Sequence, residues 1–408
     1  MPSSFSWLDY SVTERRRVLD VVRSLRERDT RDELGVATVR DALSDLLTPG
    51  VSTIQTRVRY FLFVPWLYLE LETQVRKRAG HITKEWVERR ARDGEINLIE
   101  HLKQGDELGV IGSSAGRRLQ RMPSSVYWNG LHEWGIRLCP WPLDAYHHHL
   151  AIAGAPPPSA GASPDAPMPN WHPGLPPAPE HFPEEVNMQL RPEEAEYLRD
   201  RILLKHPGSL LGQLLLASPQ AAECLWPWDV LTTGVSLSPD AANTLRHARE
   251  FSLAMHGAVL IYNLMLAEAA PAKREDWVEK YRALLTDWAE EVTQQAEIFA
   301  RWDREDFWRT VHRTRPHVPE RTRLFVDAWL NRLLSSTSAP DALAEDDSIR
   351  DLIDNRERAI KRAQARLHNF RLLEAWNGDT GSGTARMSFR WAQASRHLAD
   401  IHFGLGPS

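Results

Sequence analysis

Gly109, Gly112 and Gly116 in the stretch GVIGSSAGRRLQRMPSSVYW lead directly into Arg117, Arg118 and Arg121. Free backbone amides at a helix start, backed by arginines in its first turns, make a physically sensible phosphate cradle. The same residues also fit a flexible turn ahead of a solvated helix, and no GK[ST] follows the glycines, so the stretch is not a Walker motif. A second glycine-rich stretch, NGDTGSGTARMSFRW, reads as a mobile connection, with Arg386 and Arg390 as weaker phosphate candidates. Further on, DNRERAIKRAQARLHNFR places Arg358, Lys361, Arg362 and Arg366 at three- and four-residue steps, a basic stripe that can follow a nucleic-acid backbone or simply face solvent.

Arg57 and Arg59 stand against the apolar block Tyr60–Trp66 in STIQTRVRYFLFVPW. Read as a helix kinked at Pro65, this stretch puts Arg57 beside the stripe Ile54, Val58, Phe61 and Leu62, and Arg59 on the other side. Arg57 is expected to be held by an acid of the preceding segment, with Asp32, Asp41 and Asp45 at hand. Arg59 is left as a candidate phosphate contact.

Residues that carry catalysis or hold metals are harder to find. His147, His148 and His149 are consecutive and therefore point in different directions, while His397, Asp400 and His402 lack a fourth convergent ligand. HExxH and a clear PD-(D/E)xK pattern do not occur. No catalytic residue, metal site or cofactor is assigned, and the balance leans away from an enzyme. Nuclease carboxylates can be dispersed, so a metal-dependent nuclease stays open as an alternative.

These residues must be positioned by a chain of 408 residues with 42% hydrophobic and 26% charged content, enough for a substantial core in two or three domains. A net charge of -5 rules out a surface that is basic everywhere and confines any nucleic-acid site to a local patch. Cys139 and Cys224 have no CxxC partner, which fits a reducing cytoplasm. The N-terminal MPSSFSWLDYSVTERRR has no apolar h-region. The most apolar run, FSLAMHGAVLIYNLMLAE, is interrupted by His256 and Asn263, so it reads as a core helix and no membrane span is expected.

Helical spacing dominates elsewhere. Capping-box patterns at Ser11–Glu14 and Thr30–Glu33 open two short amphipathic helices, which also raises a helix-turn-helix DNA-binding regulator as a further alternative. Aromatic steps through Trp277, Tyr281, Leu284, Trp288, Val292, Phe299 and Trp302 mark helix-helix core, and another helical pattern runs from Ile349 to about Leu373. Proline is dense over residues 151–185, the expected linker or surface excursion, whose NWHPGLPP can dock onto a domain. The expected architecture is mainly α, with multi-helix domains at 1–150 and 186–408 joined by the Pro-rich linker.

FSWLDYS, RDELG, VRDALSDLL, PGVSTIQTRVRYFLFVPW, AGRRLQRMPSSVYWNGLHEWGIR, NWHPGLPP and FRWAQASRHLADIHFGL together resemble a family of bacterial proteins known only as a domain of unknown function. The similarity runs over essentially the whole chain, and TRVRYFLFVPW with PSSVYWNGL is its most specific part. The resemblance supplies no catalytic residue to transfer. It implies genes lying near helicases and phospholipase-D-like proteins in antiviral defence loci. The leading expectation is thus a cytoplasmic accessory or scaffold subunit of such a system, with other defence proteins as partners and DNA or RNA met through an arginine patch.

Overall fold

The computed structural model describes residues 32–105, 107–156, 168–270 and 275–406. Among them the fold is mainly α without strands, apart from one isolated antiparallel bridge between Arg137 and Trp171. The described residues fall into two compact units that are not consecutive in sequence. One takes in the chain through Leu43 together with Arg246–Ser388; the other takes in Ser44–Leu245 and Phe389–Ser408.

In the first unit the long apolar run belongs to the helix Pro239–Ala269. Its length and composition would allow it to cross a membrane, but 89% of its apolar window is buried inside the protein. The indoles of Trp288 and Trp329 donate to the carbonyls of Leu253 and Ala254, both at 2.9 Å. Gly257 is needed here, because a Cβ would lie 2.1 Å from the Trp288 ring. The polar interruptions of the run are matched by the 377–388 loop: Asn263 exchanges hydrogen bonds with Ser382, and His256 Nε2 meets the Thr384 carbonyl at 2.9 Å. The segment Glu275–Gln294 buries Trp277, Tyr281, Trp288 and Val292 as the stripe predicts, with Leu285 in the buried place expected of Leu284, which is half-buried.

The second unit gathers the helices Tyr60–Lys77, Lys84–Gln104, Pro123–Glu133, Leu143–Ala153 and Pro192–Lys205 with the C-terminal helix Trp391–Leu405. The described half of the Pro-rich stretch docks on it. Glu72, buried in the first of these helices, accepts from the Asn170 amide at 2.9 Å and the Trp171 indole at 3.1 Å, and Trp66 donates to the Pro176 carbonyl at 2.8 Å. A buried carboxylate with so many donors is how a proline-rich segment lacking regular backbone bonding is fixed to a core.

Several sequence expectations are corrected. The helix holding the apolar block begins at Tyr60, not near Ile54, because tertiary partners take the preceding amides: those of Thr56 and Arg57 donate to the Tyr127 hydroxyl, and that of Val58 to Asp400. Arg57 pairs with Asp400 at 2.9 Å through both Nε and Nη2, and not with the acids upstream. Of those acids, Asp32 caps the amides of Val36 and Ala37, and Asp45 binds Arg390. Glu33 does not close a capping box; its carboxylate turns inward to Lys361, Arg366 and Ser382. The pattern from Ile349 to Leu373 is not one helix: Asp347–Lys361 stops at Arg362, whose φ of 52° is left-handed, and short turns follow. The helix expected after Ser11, and Thr30 with it, lie outside the described residues.

Arg59 is 4% exposed and binds Glu194, itself fully buried, at 2.8 Å, with Asn187 supplying two further acceptors at 2.9 Å. Removing Arg59 leaves the buried Glu194 carboxylate with one of its two cations, Arg191 at 2.7 Å, and empties the space that Arg59 fills in the core. Arg59→Ala is expected to cost about 3–5 kcal/mol in urea unfolding, and Glu194→Gln in that background to recover part of the loss. A cost under about 1 kcal/mol would show that the pair does not support the fold.

Candidate functional site

The helix Lys84–Gln104 begins where the Thr83 hydroxyl accepts from the Trp86 amide, and its apolar side buries Val87, Ala91, Ile96, Leu98, Ile99 and Leu102. The chain then returns through the glycine-rich stretch. Gly109 and Gly112 have φ of 83° and 80°, and a Cβ would lie 2.9 Å from Arg57 Cγ at the first and 2.5 Å from Leu119 Cδ2 at the second. These glycines therefore serve close backbone approach and a left-handed turn. The expected cradle of free amides does not form. Ile111 donates to the Tyr60 hydroxyl, Ser113 to Val110, Ala115 and Gly116 to Gly112, Arg118 to Ala115 and Leu119 to Gly116. The arginines do not lie in the first turns of a helix either: Gly116–Arg118 is a single 3-10 turn, and the α-helix starts at Pro123.

The guanidinium groups themselves are on the surface. Arg117, Arg118 and Arg121 are exposed, Arg117 with a side chain 80% accessible. Arg92 underlies the turn and donates through Nη2 to the carbonyls of Arg117 at 2.8 Å and Leu119 at 3.0 Å. Glu100 Oε1 stands 3.6 Å from Arg117 Nε, an open and solvated approach. Chemically, the group can contact an anion by charge and forked hydrogen bonding. It has no acid-base pair of its own.

The remaining candidates are placed elsewhere. Arg59 leaves the anion-binding set because Glu194 holds it in the core. The basic stripe does not exist as one face: Lys361 and Arg366 turn inward to Glu33, Arg358 binds Asn355 at 2.7 Å and approaches Asp354 at 3.4 Å, and Arg362 lies exposed beyond the helix end. The second glycine-rich stretch is pinned, not mobile. Gly378 accepts from Tyr281 at 2.8 Å and from Lys280, and Arg386 pairs with Glu291 at 2.8 Å. His147 packs under Tyr68, His149 lies over Trp141 at 4.0 Å between ring centres, and His148 is exposed. His397 is enclosed by the edge-on rings of Phe61 and Trp134, Asp400 is taken by Arg57, and His402 meets the Leu214 carbonyl. Among the described residues no group of three or more His, Cys, Asp or Glu side chains is placed to hold a metal ion. On the helix Ala37–Leu47, Arg40 Nε pairs with Asp41 at 3.1 Å.

Sequence reasoning missed Arg92 and Glu95, which tie the turn down. Glu95 is 1% exposed, and its carboxylate accepts from the amide and the hydroxyl of Ser124, both at 2.7 Å, where the next helix begins. A signal was present: Glu95 falls in register with Ala91, Leu98 and Leu102 on the buried face, where an acid requires a donor partner. Burial pushes its carboxyl up to about 7, against the hydrogen bonds from Ser124 and the charge of Arg92. Burial acts the other way on His397, whose imidazole falls to about 3, with Arg396 and Arg57 adding to the shift.

Because the Glu95 pKa is raised above its ordinary 4.5, its contribution to stability is complete below that value and is lost as pH rises through about 7. The full loss is on the order of 3 kcal/mol. Glu95→Gln, which stays neutral, is expected to reduce the loss between these limits, leaving the part due to Glu250, whose carboxyl is raised to about 7 by burial, and to Glu72, whose carboxyl burial also raises. Equal slopes for the variant and the parent in pH-dependent urea melts would overturn this assignment.

Neither the curated proteins nor the solved structures contain a significant match to the chain. The resemblance carried by TRVRYFLFVPW and PSSVYWNGL extends across both compact units: residues 2–403 match a family of unknown function, DUF6361, and the chain belongs to that family.

Proposed function

We propose that the protein is a helical accessory or scaffold subunit of a bacterial antiviral assembly, acting through protein contacts and meeting nucleic acid at the turn that carries Arg117, Arg118 and Arg121. The observation that carries the nucleic-acid part is the exposure of these three guanidinium groups around one short turn, while Arg59, Lys361 and Arg366 are spent on internal acids. The defence context rests on the family resemblance.

A chain with net charge -5 gains little long-range attraction for a polyanion. Contact at the turn is therefore local, made to phosphates and steeply dependent on salt. With three phosphates neutralised, the slope of log affinity against log salt is about -2.7 for duplex DNA and about -2.1 for a single strand, so affinity falls roughly fortyfold and roughly twentyfold between about 50 and about 200 mM salt.

Fluorescence anisotropy with labelled single- and double-stranded DNA and RNA measures this slope. The combined Arg117→Ala, Arg118→Ala and Arg121→Ala variant is expected to abolish most of it while remaining folded. Glu100→Gln, which removes the competing carboxylate, is expected to tighten binding roughly twofold, the worth of an exposed ion pair. Absence of binding by the parent at low salt would sink the nucleic-acid part and leave a scaffold that acts through protein contacts.

A further inference from the structure

Arg92 and Glu95 lie one turn apart on the helix Lys84–Gln104 and grip opposite ends of the segment 117–124. Arg92 Nη2 holds the carbonyls of Arg117 and Leu119 at 2.8 and 3.0 Å. Glu95 holds the amide and hydroxyl of Ser124 at 2.7 Å each. Between the two grips Arg118, Gln120 and Arg121 are exposed. The fixed points are backbone groups, so the arginine side chains above them stay available.

We propose that Arg92 and Glu95 are positioning residues that hold this segment in a binding-ready shape before a nucleic-acid backbone arrives. The inference rests on the reading of the turn as a nucleic-acid contact. Ordering a loose segment at the moment of binding subtracts from affinity, and a segment already fixed at both ends avoids that cost. The choice of arginine at position 92 points the same way. Two carbonyls could be satisfied by a neutral donor, yet the site places a fourth cation beneath Arg117, Arg118 and Arg121. A fourth guanidinium under this segment adds to the local attraction for a polyanion.

Hydrogen exchange of residues 112–124 and binding of a short labelled DNA duplex are to be measured on the full chain carrying Arg92→Met, Arg92→Gln or Glu95→Leu. Arg92→Met, which has neither donor nor charge, is expected to speed exchange across 117–122 and weaken binding about tenfold, the scale of losing preorganisation and one nearby charge. Arg92→Gln keeps a donor and is expected to restore slow exchange and most of the affinity. Glu95→Leu removes both acceptors of Ser124 and is expected to speed exchange at Ser124 and weaken binding in the same direction; unchanged exchange there overturns the Glu95 grip.

Unchanged exchange in Arg92→Met overturns the grip whatever happens to binding. Weaker binding with unchanged exchange reassigns Arg92 to direct phosphate contact. If the parent does not bind duplex while exchange responds as expected, the grip stands as a structural feature, and the nucleic-acid reading fails along with the positioning role.

Discussion

The fork of Arg57 on Asp400 joins positions 343 residues apart, and the polar interior of the second unit is arranged around it. With Nε and Nη2 fixed on the carboxylate, Arg57 reaches the carbonyls of Leu108 at 3.2 Å and Met188 at 3.4 Å. The same carboxylate receives the Val58 amide, and Tyr127 closes the other side by accepting from Thr56 and Arg57 and donating to the Arg57 carbonyl. A planar guanidinium with five donors suits this work, since one side chain satisfies a carboxylate and two loop carbonyls in fixed directions. The glycine-rich turn inherits its geometry from this pair: Gly109 lies against the Arg57 side chain, and no larger residue fits.

The first unit solves a related problem with a closed cluster. Glu33 and Glu357 are buried, and between them Lys361 contacts both carboxylates and the Tyr262 hydroxyl, while Arg366 reaches Glu33 at 2.7 Å. Burial alone would raise the Glu33 carboxyl; hydrogen bonds from Lys361 and Ser382 and the charges of Lys361 and Arg366 outweigh it and hold the group below its ordinary range. Glu357 also takes the amides of Arg366 and Leu367, which accounts for the chain turning sharply after Arg362 instead of continuing as a helix. Paired charges and filled acceptors of this kind specify one chain path more than they add net stability.

Set beside these clusters, the turn at Arg117, Arg118 and Arg121 differs in kind. Several of its amides and carbonyls are bonded within the protein, while Arg118 and Arg121 are exposed and Arg117 meets the exposed Glu100. A rigid backbone carrying uncommitted cations is economical for meeting an anion, because little order remains to be imposed on contact. Arginines that look equivalent in the sequence have therefore separated into those that build the protein and those available to a partner.

Local pattern determined the helical class of the chain, the burial of the apolar run in Pro239–Ala269 and the aromatic stripe through Trp277, Tyr281, Trp288 and Val292, because helical periodicity and side-chain burial are encoded within a few turns. The family resemblance was likewise legible along the chain, and the family match covers residues 2–403. Three-dimensional packing alone decided the fate of the charges. Arg57, Arg59, Lys361 and Arg366 are bound by Asp400, Glu194 and Glu33 from distant parts of the chain. Residue spacing cannot show which carboxylate will face a guanidinium, and the cost of burying either without the other makes that choice binding on the fold.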